Sequence, residues 1–319
     1  MPRFFGGHMI KRILLAFSFF AFSFPALSDV EPAVRLIQEQ RPCAPEPCVA
    51  PPAKNAIVLV HGLTGSQATW KADNGTYLPD LIVKDADLKD YDVWRIDYDS
   101  FKFASSPDAD TLADLFFKQL STLRGYDSIT FIGHSLGGLI IQRFLQDVNS
   151  LNSHIQLNKF RLVILLGTPS KGSLLANYAD WLTDNPQVRI LKDYSANDYL
   201  KLLGRTMWYT MQKHEASGCA SLRIFSAYEG RDTNHVRVVS KESATSRAFA
   251  CREFDTDHVQ MSKPTSNADE NYTAIKKLLV SCLAQDRRVC PPPSNDPHCG
   301  QLQNPIENGP ELHCDHGSW

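Results

Sequence analysis

The sequence predicts an α/β fold, a mostly parallel sheet with helices on both faces, and three observations point there. Short runs rich in β-branched and aromatic residues alternate along the chain with longer helix-like stretches, the order expected of a sheet whose crossovers are right-handed. One run, Ala56-Ile57-Val58-Leu59-Val60, is continuously apolar, as a parallel strand covered on both faces requires. Between a strand-like and a helix-like run stands Gly133-His134-Ser135-Leu136-Gly137, a serine set between glycines where the chain must turn sharply. The length, 319 residues, suits one large domain or at most two.

The elements follow in order. Residues 29–54 are proline-rich and lead in without a core pattern. Ala56 to Val60 is the first core strand, and Tyr91 to Ile96 the next, followed by a helix over Asp108 to Leu123. Ser128 to Ile132 is β-branched and aromatic, hence a strand, and a helix runs from Leu136 to Asp147. Strands follow at Leu162–Leu166, Leu222–Ala227 and, briefly, Val236–Val239; a last helix covers Ala268 to Leu283. Leu200, Leu203, Met207, Trp208 and Met211 recur at helical spacing. Beyond Ala284 the chain is rich in proline, cysteine and histidine without periodicity, so 285–319 reads as an appended tail and 55–284 as the domain. No internal repeat is evident.

Charge and cysteines bound the function further. Lys+Arg 33 against Asp+Glu 35 gives a net charge of −2, with no basic block to attract nucleic acid. Arg3, Lys11 and Arg12 precede the apolar run Ile13–Phe24, and Ala26-Leu27-Ser28 offers small residues for cleavage; residues 1–28 therefore read as a signal peptide, with Asp29 as the mature start and a secreted or periplasmic destination. Met9 is an alternative start, and an uncleaved anchor the alternative to processing. No cysteine follows the apolar run, which argues against lipoprotein processing. Eight cysteines, an even number in an exported chain, favour disulfides. The simplest pairing joins Cys43 to Cys48, Cys219 to Cys251, and Cys282, Cys290, Cys299 and Cys314 among themselves. His298, His313 and His316 in the tail raise a zinc alternative, which export disfavours.

A hydroxyl is a poor nucleophile at neutral pH, so Ser135 calls for a base in hydrogen-bond reach and an acid to orient that base. On a strand–turn–helix nucleophile the chain order is serine, acid, histidine. His258 follows a polar stretch and precedes the last helix, where the base belongs; His235 lies too near the acid. For the acid, Glu229 stands just beyond the Leu222–Ala227 strand, with Asp232 three residues on as its rival. The oxyanion of acyl transfer needs backbone N–H donors: Leu136, directly after the nucleophile, and Leu63 in the Val60-His61-Gly62-Leu63-Thr64-Gly65 loop. His61 reads as structural and His134 as fixed by the turn, neither as a base.

The motifs VHGLTG, GHSLGG, LGTPSKGS (Leu166–Ser173), AYEG, VSKESA (Val239–Ala244) and DHVQMSK (Asp257–Lys263) together resemble the lipase-type serine α/β-hydrolases, above all the branch of the serine-active-site proteins and the glycosylphosphatidylinositol inositol-deacylase relatives. The resemblance spans about Asn55 to Leu283. It implies an acid following an aromatic residue, as Glu229 follows Tyr228, and a histidine in a DH pair, as at His258. It also implies hydrolysis of carboxylic esters, small-molecule or lipid, without metal or organic cofactor, and with it transient contact at a membrane surface. In such enzymes a helix placed like 200–211 forms a lid or acyl-binding wall; a core-facing helix is the plain alternative. Thioesterase, transacylase and amidase chemistry use the same triad. The contrasting class is a catalytically silent binding module on the same fold, against which the intact serine, acid and histidine speak. The tail is open as a docking module, and the sequons at Asn74 and Asn271 as glycan acceptors.

Overall fold

Seven strands hydrogen-bond into one sheet in the order β1-β3-β2-β4-β5-β6-β7 in the computed structural model. It describes residues 34–39, 53–100, 107–150, 159–173, 187, 190–191, 197–216 and 222–286, with 212–216 and 282–286 by backbone alone. The strands are β1 Arg35–Glu39, β2 Asn55–Val60, β3 Tyr91–Asp97, β4 Ser128–His134, β5 Phe160–Leu166, β6 Arg223–Glu229 and β7 Ala250–Phe254. All neighbours pair in parallel except β1, which runs antiparallel along β3 from Arg35↔Asp97 to Glu39↔Val93. The fold is a mostly parallel seven-stranded α/β sheet with helices on both faces.

Along the apolar runs successive residues face opposite helical layers, so every side chain of the run is buried. Val58, Val60, Phe131, Val163 and Leu165 face one core, shared with α2 (Ala109–Gln119), α3 (Leu136–Ser150) and α4 (Asp198–Ala216). Ile57, Leu59, Ile132, Ile164 and Leu166 face the other, shared with α1 (Leu78–Lys84) and α6 (Glu270–Asp286). A short helix, α5 (Lys241–Thr245), begins at Ser240, whose hydroxyl accepts from the Ser243 N–H.

Several expectations are corrected. The lead-in read as coreless contributes β1, whose Glu39 binds Arg95 of β3 at 2.6 Å and accepts the Tyr77 hydroxyl at 2.7 Å. Its polar residues hid it because an edge strand has one neighbour. The strand expected at Val236–Val239 is only a bridge: Thr233 and Val236 exchange backbone hydrogen bonds around Asn234 and His235, both in the left-handed region, as a two-residue hairpin turn requires. The true neighbour of β6 is β7, which sequence reading passed over. β6 runs on to Glu229, so the acid is the strand's last residue rather than two beyond its end. The helix at 108–123 closes as 3₁₀ turns from Leu120. The 200–211 stretch is core-facing: Leu200, Leu203 and Met207 are buried against α3, while Leu202 and Tyr209 face outward. Arg247 fastens that helix, donating to Gln142 of α3 at 2.7 Å, to the Ser170 carbonyl at 2.8 Å and to the Leu200 carbonyl at 2.7 Å.

Between α2, α3 and the sheet, Phe116, Phe131, Phe144 and Phe160 interlock. Phe144 meets the other three edge-on at 5.0, 5.7 and 5.6 Å between ring centres. Phe144→Ala should cost about 3–5 kcal/mol, the range for emptying a buried aromatic site, measured as a fall in urea midpoint at unchanged slope; a loss under 1 kcal/mol would show that the cluster is loosely packed.

Candidate active site

β4 ends at His134 and α3 begins at Leu136; the one residue between them, Ser135, has φ 53. A side chain in that left-handed conformation survives only where its surroundings hold it. Ser135 N–H donates to the Leu166 carbonyl of β5 at 2.9 Å, and its own carbonyl accepts from Gly138 at 3.1 Å. The space around the turn has been cut to glycine. A Cβ at Gly137 would overlap the Val60 and His61 carbonyl oxygens, and one at Gly62 would lie 2.8 Å from Ser135 Cβ and 3.3 Å from its Oγ. Leu136 opens α3, where first-turn N–H groups lack intrahelical acceptors and the helix end is positive.

The loop after β2 is held from below. Tyr98 stacks on the His61 ring at 4.1 Å and its hydroxyl donates to the His61 carbonyl at 2.6 Å. His61 Nδ1–H and Gly65 N–H both donate to the Gly62 carbonyl, each at 3.0 Å. Burial pushes the His61 imidazole below its usual range, so it stays a neutral wedge. Thr64 N–H donates to Ser100 Oγ at 2.8 Å. Thr64 and Gly65 are thus spent, and Leu63 N–H has no acceptor among the described residues.

Glu229 and His258 meet. His258 Nδ1 lies 3.1 Å from Glu229 Oε1, and since a carboxylate only accepts, Nδ1 carries the proton and Nε2 is left as the basic nitrogen. Glu229 is buried, and its two oxygens accept the Val239 N–H at 2.8 Å and the Val238 N–H at 3.1 Å; those bonds compensate the desolvated charge. The His258 ring lies over Gly167, where a Cβ would come within 2.9 Å of Nδ1. Gly167 follows Leu166, the residue that binds Ser135 N–H, so nucleophile and imidazole flank the end of β5.

The rivals sit elsewhere. Asp232 is exposed and paired with Arg237 at 2.8 Å. His235 is exposed at the tip of the hairpin turn. Asp257 caps the next turn, accepting from Val259 at 2.9 Å and Gln260 at 2.8 Å.

Sequence reasoning missed several supports. Val238 and Val239 act through backbone N–H groups, which leave no trace in residue type. Thr233 Oγ1 accepts the His258 N–H at 3.1 Å. His134 Nε2–H donates to the His258 carbonyl at 2.8 Å; its place inside the turn motif was visible, its partner 124 residues on was not. The described residues contain no metal-binding group of three or more His, Cys, Asp or Glu side chains, and no helix among them is long and apolar enough to cross a membrane. Residues 1–28, expected to be a signal peptide, Cys43, Cys48, Cys219 and the tail from 287 on lie outside the described residues; Cys251 is buried on β7.

The model of the alpha/beta hydrolase family matches residues 57–299. No curated protein sequence matches the chain. Among solved structures the chain is similar to the mature form of the Bacillus licheniformis lipase BlEst2, with 22% identity, a TM-score of 0.51, and coverage of 73% of this chain and 96% of that one. To the propeptide form it is similar with 21% identity and a TM-score of 0.54, covering 77% of this chain and 53% of that one. At such identities the likeness is one of fold.

Burial, with a further push from the His258 charge, lowers the His134 pKa from 6.5 to about 3. The unfolded chain therefore takes up a proton that folded His134 refuses. The stability it contributes is complete above pH 6.5 and is lost as pH falls toward 3, at up to about 1.4 kcal/mol per pH unit. His134→Gln, which keeps a donor but cannot titrate, should flatten this acid limb in denaturant melts between pH 7 and 4; parallel limbs for the two proteins would refute the assignment.

Proposed function

The chain belongs to the alpha/beta hydrolase family, and from that premise we propose that it is an exported serine hydrolase cleaving carboxylic esters through an acyl-enzyme on Ser135. The observation that carries the reading is the buried Glu229–His258 pair beside the turn that presents Ser135. Ser135 Oγ attacks the ester carbonyl carbon while His258 Nε2 takes its proton. Glu229 holds the ring tautomer and stabilises the imidazolium. The carbonyl electrons move onto oxygen, and the N–H groups of Leu63 and Leu136 donate hydrogen bonds to that oxyanion. As the C–O bond breaks, His258 returns the proton to the leaving alcohol. Water then attacks the acyl carbon as His258 Nε2 takes its proton, and as the acyl–Oγ bond breaks that proton passes to Ser135, releasing the acid.

The motif likeness to the serine-active-site and inositol-deacylase branch supports esters, lipid esters among them, as substrates, and transient contact with a lipid surface follows from that class. Thioesters and amides pass through the same tetrahedral adduct, so the acyl preference is read from p-nitrophenyl esters of rising chain length and the leaving-group preference from matched thioesters and amides. The segment at 1–28 supports export, and a Cys219–Cys251 bridge would tie the approach of β6 to β7.

Ser135→Ala should abolish fluorophosphonate labelling and ester hydrolysis while leaving the melting temperature nearly unchanged. Glu229→Gln should lower kcat by about 10³–10⁴-fold through loss of the orienting charge, and Asp232→Asn, which breaks only a surface ion pair, should stay within about tenfold. Labelling that survives in the serine variant, or the reverse ranking of the two carboxylates, would overturn these roles. Export is checked separately: the protein recovered outside the cytoplasm should begin at Asp29 by N-terminal sequencing, and an intact leader there would contradict cleavage.

A further inference from the structure

We infer that Ser100 is a positioning residue for oxyanion binding, acting through the loop after β2; the inference rests on the serine-hydrolase reading above. Thr64 is a β-branched residue at φ 57, a conformation its own side chain disfavours. What holds it is the hydrogen bond from Thr64 N–H to Ser100 Oγ at 2.8 Å. Ser100 is itself fixed. Its single hydroxyl proton goes to Gln187 Oε1 at 2.9 Å, with the Gly62 carbonyl farther off at 3.3 Å. Gln187, fully buried, donates its amide hydrogens to the Asp99 carbonyl at 3.2 Å and the Pro107 carbonyl at 2.9 Å. The amide orientation is therefore set by two carbonyls, and the serine proton by the amide oxygen.

The consequence is directional. The Gly62 carbonyl points into this buried cluster, toward His61 Nδ1, Gly65 N–H and Ser100. A trans peptide sets C=O and N–H on opposite sides, so the Leu63 N–H points away from the cluster, on a loop whose Gly62 lies against Ser135. Ser100 holds the Leu63–Thr64 peptide through the Thr64 N–H and also touches the Gly62 carbonyl, which shares its plane with the Leu63 N–H; without it the Leu63–Thr64 plane is free to rotate about the Leu63 Cα, and the adjoining Leu63 donor loses its aim. Because the donor matters most when the carbonyl oxygen becomes an anion, the loss falls on the transition state rather than on substrate binding.

Ser100→Ala should lower kcat about 10–100-fold, short of the effect of deleting an oxyanion donor outright, with KM within about twofold. The inhibition constant of a trifluoromethyl ketone, which forms an anionic adduct on Ser135, should rise by the same factor as kcat falls. Ser100→Thr, which keeps the hydroxyl, should restore both, and the pH profile of kcat/KM should keep its wild-type shape, since the His258 pair is untouched. Should the alanine variant not fold, Ser100→Cys, close in size but a weak acceptor, takes its place with the same expected split. Wild-type kcat in the alanine or cysteine variant, or a fall in kcat without weaker ketone inhibition, overturns the role of Ser100. An active Ser135→Ala protein in the same assay would instead overturn the underlying reading, so the two failures are distinguishable.

Discussion

The end of β2 and the turn at Ser135 lie in backbone contact, and the rest of the site is arranged around that fact. Gly137 sits against the Val60 and His61 carbonyls and Gly62 against the serine side chain, so neither chain can move without the other. Parallel pairing of β2 with β4, Val60 opposite Gly133, delivers both to one height at the carboxyl edge of the sheet. β5 adds the Leu166 carbonyl that pins Ser135, and β6 adds Glu229. That edge is where open α/β sheets gather their functional groups.

Backbone amides carry much of the electrostatics. Among the described residues Glu229 pairs with no Lys or Arg side chain; two peptide N–H groups hold its charge. A buried carboxylate balanced by neutral dipoles keeps its charge free to act on the imidazole, whereas an arginine on the same carboxylate would compete for it. Arg237 is near, yet it binds Asp232 and the main-chain oxygen of Glu229. His134, neutral by burial, adds a donor to the His258 carbonyl without adding charge beside the base.

Legibility in the sequence followed burial and chain distance. β2, β4 and β5 could be read because strands covered on both faces are apolar throughout; β1, with its Arg35, Gln38 and Glu39, and β7, with its Arg252 and Glu253, could not, because edge strands keep polar faces. Glu229 and His258 were expected from chain order and local motif, and the structure places them 3.1 Å apart. Whether 200–211 formed a lid or a core helix was undecidable from spacing alone, because both place apolar residues at the same period; packing against α3 decides for the core. The roles of Ser100 and His134 rest on partners 36 to 124 residues away, and no local pattern records them.

The distribution of the site along the chain has a consequence in time. During synthesis Ser135 emerges early, but His258 is 123 residues further on and reaches its partner only when β6 has docked on β5 and the segment after β7 has folded back over Gly167. Pairings of such long sequence separation form late and slowly. A half-made chain therefore carries a hydroxyl with no base and no fixed acid. Under the roles proposed above, the nascent protein would stay chemically silent until its last strand is in place, and reactivity would mark the completion of folding.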